Sequence, residues 1–255
     1  MGPKGHEMKQ PILRLAALLL LAVVSALLPQ QAFAGRRPFM WVWDSEVLGE
    51  RGVELEQWVT ERNLKNSQDS TAIWFAPVLG ITDQLELALP FEWVHRQGKD
   101  ATQLDWYGAE LRWRLAPADK LEAGPWAPLV RLAVQRPVRD RDVYRVEANA
   151  VLSWDPAERW HATADLGLRH HFGADESQVT YAAGVSARLL GELRLGAEWF
   201  GRHVLVSTDG LSSFNMVGPN LGWTHGRLWV TAGWMVGLDQ GSPNGMGRLL
   251  WAIAF

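Results

Sequence analysis

The chain has 255 residues, 25 basic against 28 acidic side chains for a formal charge of −3, and 15 tryptophans but no cysteine. Without cysteine, neither a disulfide nor a thiolate metal site can hold the fold, and the acidic balance argues against nucleic acid as a partner. The tryptophan load is heavy for a water-soluble protein and suits a surface that meets the membrane–water boundary.

The first element is an export signal. Lys4, Lys9 and Arg14 precede an apolar stretch from Leu15 to Leu28, and Ala32-Phe33-Ala34 supplies a small-x-small cleavage site before Gly35. Export is expected to remove residues 1–34. The apolar stretch is shorter than the roughly 20 residues of a spanning helix. Residues 35–51 follow as a periplasmic lead or short plug; a strand over Phe39–Trp43 would make the strand count odd, which disfavours it.

From Gly52 the chain breaks into strand-length segments separated by turn-forming links. Strands are predicted over 52–62, 70–80, 84–96, 104–115, 126–136, 143–154, 159–171, 178–189, 191–202, 214–224, 227–237 and 246–255. Their number is even, as a bacterial single-chain barrel with both termini in the periplasm requires. The links alternate between tight turns, such as Ile81-Thr82-Asp83 and His225-Gly226, and longer stretches such as 203–213 and 238–245. The stretch 116–125 departs from this, being long on the short-turn side.

A period of two runs through several segments. Leu193, Leu195, Ala197 and Trp199 alternate with Glu192, Arg194, Gly196, Glu198 and Arg202, and Leu85, Leu87, Leu89, Phe91 and Trp93 with Glu86 and Glu92. Tyr144, Val146, Ala148, Ala150, Leu152 and Trp154 do so with Arg145, Glu147, Asn149 and Ser153. Parity and direction sort the outward tryptophans into two girdles, Trp113, Trp154, Trp160 and Trp251 at the periplasmic end and Trp93, Trp199 and Trp234 at the external end. The glycines Gly184, Gly196, Gly222 and Gly233 fall inside strands and mark bends or close approaches.

The last strand places Leu249, Trp251, Ile253 and Phe255 on one face and Arg248, Leu250, Ala252 and Ala254 on the other. Its terminal aromatic residue resembles the C-terminal assembly signal of Gram-negative outer-membrane β-barrels, with Trp251, Ile253 and Phe255 as the signal. The runs 52–60 and 80–87 resemble patterns in uncharacterised porin-like outer-membrane barrels. The turn Gly80-Ile81-Thr82-Asp83-Gln84-Leu85 is similar to one in outer-membrane transport proteins of aromatic-degradation pathways. The resemblance implies an all-β, antiparallel transmembrane barrel over 52–255, outer-membrane lipid and the barrel-assembly machinery as partners, and a transport role.

The opposite face is charged. It collects Glu54, Glu56, Glu86, Glu92, Glu110, Glu147, Asp165 and Glu198 with Arg112, Arg114, Arg131, Arg145, Arg159, Arg169, Arg188, Arg194, Arg202, Arg227 and Arg248. Such groups must pair or meet water. Twelve tilted strands give a backbone radius of roughly 12 Å, which these side chains narrow to a small wet passage or close. The arginine excess points to a mild preference for anions.

His161-Ala162-Thr163, with Asp165 on the same strand face, has a spacing that could join a base to a hydroxyl. That face is the lumen rather than the lipid side, so no catalytic residue is expected. His170 and His171 point to opposite faces and cannot share a metal, and no metal or cofactor is expected. The sequence thus predicts a monomeric barrel acting as a narrow channel for small polar or anionic solutes. A barrel without transport activity is the alternative, and a lipid-modifying enzyme comes last.

Overall fold

The computed structural model describes residues 37–65, 68–99, 101–117, 124–207 and 213–255, and the expected export signal lies outside them. Among the described residues, thirteen antiparallel strands form one sheet: β1 (Val53–Asn63), β2 (Ser70–Thr82), β3 (Leu85–Ala88), β4 (Phe91–Arg96), β5 (Gln103–Arg114), β6 (Trp126–Pro137), β7 (Tyr144–Ala157), β8 (Trp160–Phe172), β9 (Glu176–Leu190), β10 (Leu193–Val206), β11 (Phe214–His225), β12 (Leu228–Gly237) and β13 (Gly245–Ala254). The sheet closes because β1 pairs with β13, from Glu54 opposite Ala254 to Asn63 opposite Gly245, and also with β2.

β3 and β4 are halves of one barrel strand, both pairing with β2 and β5, so the wall is twelve strands round. The single strand expected over 84–96 is interrupted at Leu89-Pro90. Proline has no N–H to give to the ladder. Leu89 N–H donates to the Pro77 carbonyl and Gly108 N–H to the Pro90 carbonyl, each at 3.0 Å, which bridges the gap.

The alternation read from the sequence builds the two surfaces. Leu166, Leu168, Val134 and Trp113 are 59, 60, 53 and 51 % exposed, while Glu147, Asn149 and Ser153 on β7 are buried. At roughly 25 cal/mol per Å² of apolar surface, such an exterior is costly in water and favourable against hydrocarbon. Trp154 and Trp160 face outward near the end that carries Phe255, joined there by Trp126 and Trp223. Trp199 and Trp234 face outward nearer the other end.

These ends differ in their links. At the turn end, Gly191 and Gly226 take φ of 54° and 57°, the left-handed conformation that two-residue hairpin turns require. The link expected over 116–125 lies partly outside the described residues. At the loop end most links are longer, but β8 and β9 are joined by Gly173-Ala174-Asp175 alone, and β9 starts at Glu176 rather than 178. Gly173 and Asp175, with φ of 85° and 47°, make that reversal tight.

Candidate functional site: a plugged lumen

Residues 37–49 have no strand partner, yet Phe39, Met40, Trp41 and Val42 are at most 8 % exposed because they lie inside the barrel. A buried segment without a ladder must find other partners for its amides. The wall supplies carboxylates. Glu198 on β10 accepts the N–H groups of Met40, Trp41 and Val42 at 2.6, 2.7 and 3.2 Å and is itself bonded by Asn220. Glu86 accepts the Leu48 N–H at 2.5 Å, and Arg248 Nη1 donates to the Met40 carbonyl at 2.8 Å. The Thr231 hydroxyl donates to the Arg37 carbonyl.

Glycines of the wall make room for this lead. A Cβ on Gly184 would stand 2.6 Å from the Phe39 ring, and one on Gly233 would stand 2.5 Å from the Met40 methyl. Asp44, where the lead turns back toward β1, accepts from His161 Nε2 at 2.8 Å and from Ser153 Oγ at 2.9 Å. Burial pushes the Asp44 carboxyl up, but the charge and hydrogen bond of His161, with Ser153 and the Ser45 amide, outweigh this and hold it down at about 2.

The lumen is two-sided. On the sector β11–β13, β1 and β2, Met40, Trp41 and Leu48 pack with Trp58, Trp74, Phe214, Met216, Trp229, Met235, Met246 and Leu250. The facing sector carries an ionic ladder. Arg112 binds Glu56, Glu86 and Glu110; Arg131 binds Glu110 at 2.5 Å and Glu147 at 2.9 Å; Arg169 binds Glu147 at 2.8 Å. Trp43 joins the sectors, its ring 5.6 Å from Trp58 and 4.0 Å from the Arg131 guanidinium.

The lead lies between two cavities. The loop-end cavity, about 1140 Å³, has Phe39 to Trp43 in its floor and charged residues of the wall around it. The turn-end cavity, about 340 Å³, lies between Asp44, Glu46, Asp155, His161, Arg188 and Arg194.

No protein-family profile matches the chain, and neither does any curated protein sequence. Solved structures do match. An outer-membrane channel from Pseudomonas putida F1 superposes on 85 % of this chain and 100 % of its own, with a TM-score of 0.58 at 13 % identity. The NanC porin covers 79 % of this chain and 98 % of its own (TM-score 0.53, 8 % identity), and the KdgM porin 79 % and 99 % (0.51, 9 %). The fold is that of an outer-membrane β-barrel.

In this barrel the residues expected to face inward fall into distinct places. Glu86, Glu110, Arg112, Arg131, Glu147 and Arg169 build the ladder, with Glu56. Glu92, Arg145, Arg202 and Arg248 line the loop-end cavity; Arg188 and Arg194 line the turn-end one. Glu198 holds the lead, Asp165 bonds Asn149 at 2.8 Å and the Trp43 amide, and Arg114 is buried at the turn end of β5. Two arginines lie just outside the strands expected to carry them. Arg227 precedes β12 in a turn, and Arg159 lies exposed in the turn between β7 and β8, because both strands begin one residue later than expected. Trp251 and Ile253 face outward and Phe255 is 53 % exposed, its N–H donating to the Val53 carbonyl at 2.8 Å.

Three features go beyond the charged face expected from the sequence. Trp58, Trp74, Trp229 and Leu250 face inward, so the lumen is not charged all round. The lead has no periodicity because its partners are distant wall side chains. The His161 partners also differ from those expected: Asp44 and Asp155 hold the ring, while Asp165 bonds Asn149. Thr163 Oγ1 does lie 3.1 Å from His161 Nε2, but the same nitrogen faces Asp44.

Proposed function

We propose that the protein sits in the outer membrane with its loop end outward, and that it is a narrow diffusion channel for small polar or anionic solutes which the lead closes. One observation carries this reading: a charged cavity of about 1140 Å³, whose floor is a segment held by side-chain contacts rather than by strand pairing. A wall strand cannot leave without breaking its ladder, whereas a lead of this kind can withdraw while the barrel stays closed. The shared fold of a channel and two porins supports the reading. Insertion would proceed through the C-terminal strand, whose outward face ends on Phe255.

Reversal potentials in a chloride gradient across a planar bilayer test it. A channel with mild anion preference, weakening as ionic strength rises, is the expected result. A cation-selective pore contradicts the anionic part. The ionic ladder and the three amides on Glu198 favour a second reading, a structural barrel without transport, and absence of conductance with or without the lead would support it. A lipid-modifying enzyme is not favoured, since both nitrogens of His161 face carboxylates.

A further inference from the structure

The wall grips the lead largely by its main chain. Successive N–H groups donate to wall carboxylates, those of Met40, Trp41 and Val42 to Glu198 and that of Trp43 to Asp165. Arg248 and Thr231 donate to the carbonyls of Met40 and Arg37. The chain bends from Met40 to Val42, which turns three N–H groups toward one carboxylate. Successive main-chain N–H groups in a turn make a concavity for an anion, and any residue except proline can supply one.

The side chains of this stretch meet spaces and ring faces instead. Phe39 lies over Gly184 and stacks on His161, and Met40 lies against Gly233. The Arg248 guanidinium stands 4.2 Å from the centre of the Trp41 ring, and Trp43 lies between Trp58 and Arg131. Only at Asp44 does the wall read a charge, through His161 and Ser153. Main-chain hydrogen bonds that give affinity, with side-chain pockets that give selectivity, are the division of labour in peptide recognition.

Glu198, Asp165, His161, Thr231 and Arg248 belong to β10, β8, β12 and β13, so they stay in the lumen when the lead withdraws. We infer that these residues form a receptor for short peptides, of which the lead is the built-in occupant. Its ligand carries aromatic or other apolar side chains on a bent main chain, followed by a carboxylate that takes the place of Asp44. Glu198 and Arg248 hold the amides and carbonyl, and His161 takes the carboxylate. The inference rests on the channel reading for withdrawal of the lead and names such peptides among its anionic solutes, but the binding itself does not require conduction.

The probe is a free heptapeptide with the sequence of residues 38–44. The protein is the chain from Gly35 onward carrying Asp44→Asn, because a fully docked lead competes from about millimolar effective concentration. Isothermal titration in detergent is expected to show saturable binding. A second peptide has esters in place of the amides of Met40, Trp41 and Val42, which removes three donors and keeps the side chains. It should bind about tenfold more weakly or worse, since hydrogen bonds to a carboxylate are strong ones. The ester peptide is the more apolar of the two, so uptake into micelles would give the opposite order. Adding Glu198→Gln to the protein should weaken the amide peptide about tenfold and leave the ester peptide unchanged. Heat-modifiable mobility confirms that each variant is folded. No saturable binding, or equal binding of the two peptides, overturns the receptor. Conductance on the same preparations separates the two ideas. Conduction without peptide binding removes the receptor and leaves the channel, and peptide binding without conduction does the reverse.

Discussion

Asp44 Oδ2 stands 2.8 Å from His161 Nε2, and the other nitrogen of that ring stands 2.7 Å from Asp155 Oδ1. Carboxylates only accept, so both ring nitrogens donate and neither keeps a lone pair for proton abstraction. His161 is therefore a tether between the wall and the lead. The Phe39 ring stacks on it at 5.7 Å, so the tether and the apolar side of the lead share one side chain.

Removing one partner of a buried ion pair typically costs about 3–5 kcal/mol. Asp44→Asn should therefore raise the population of undocked lead by at least a hundredfold while the strands stay paired. Limited proteolysis checks this: cleavage between 37 and 49 should accelerate with the barrel core intact. Equal cleavage rates would show that Glu198, Glu86 and Arg248 hold the lead without the tether.

The same tether gives a pH dependence. Asp44 is held at about 2, below its ordinary 3.8, so its stabilisation is fully present above about pH 4 and is lost as pH falls toward 2. Lead cleavage by an acid-active protease should rise through that window in the wild type. In Asp44→Asn this component of the rise should be missing.

Gly184→Ala should also loosen the lead, since the new Cβ would meet the Phe39 ring at 2.6 Å and that ring is pinned against His161. The ring must shift, at a typical overpacking cost of about 1–3 kcal/mol. In Gly184→Ala/Phe39→Ala the clash is absent, so lead cleavage should be no faster than in Phe39→Ala alone. Gly233→Ala should loosen the lead as well, since its Cβ would stand 2.5 Å from the Met40 methyl and 2.3 Å from the Pro219 carbonyl oxygen of the neighbouring strand.

Deleting Phe255 or replacing it with Asp should leave export intact and lower the yield of heat-modifiable barrel in the outer membrane. The aromatic end of the terminal strand is lost in both, and the second places a charge beside lipid. Normal yields from both would detach Phe255 from assembly.

The wall was legible in the sequence because a membrane strand must alternate. The segments around Glu147 and Glu198 show it cleanly, and the structure places those carboxylates inside and Leu152 and Trp199 outside. What fills the lumen was not legible. Parity assigns Trp58 and Trp74 to the inner face, but only the lead gives two stacked indoles 3.9 Å apart a reason to be there. The lead's own fold depends on Glu198, Glu86 and His161, each more than thirty residues away, and no local pattern encodes such partners. The break at Pro90 was hidden because alternation continues through it.

Closure of the lumen by the lead can be read in single-channel recordings. The chain from Gly35 onward and a chain beginning at Leu48 would be refolded, checked for heat-modifiable mobility and compared in planar bilayers. Rare, brief openings are expected for the first and a stable, larger conductance for the second. Equal conductance in the two chains would contradict closure by the lead.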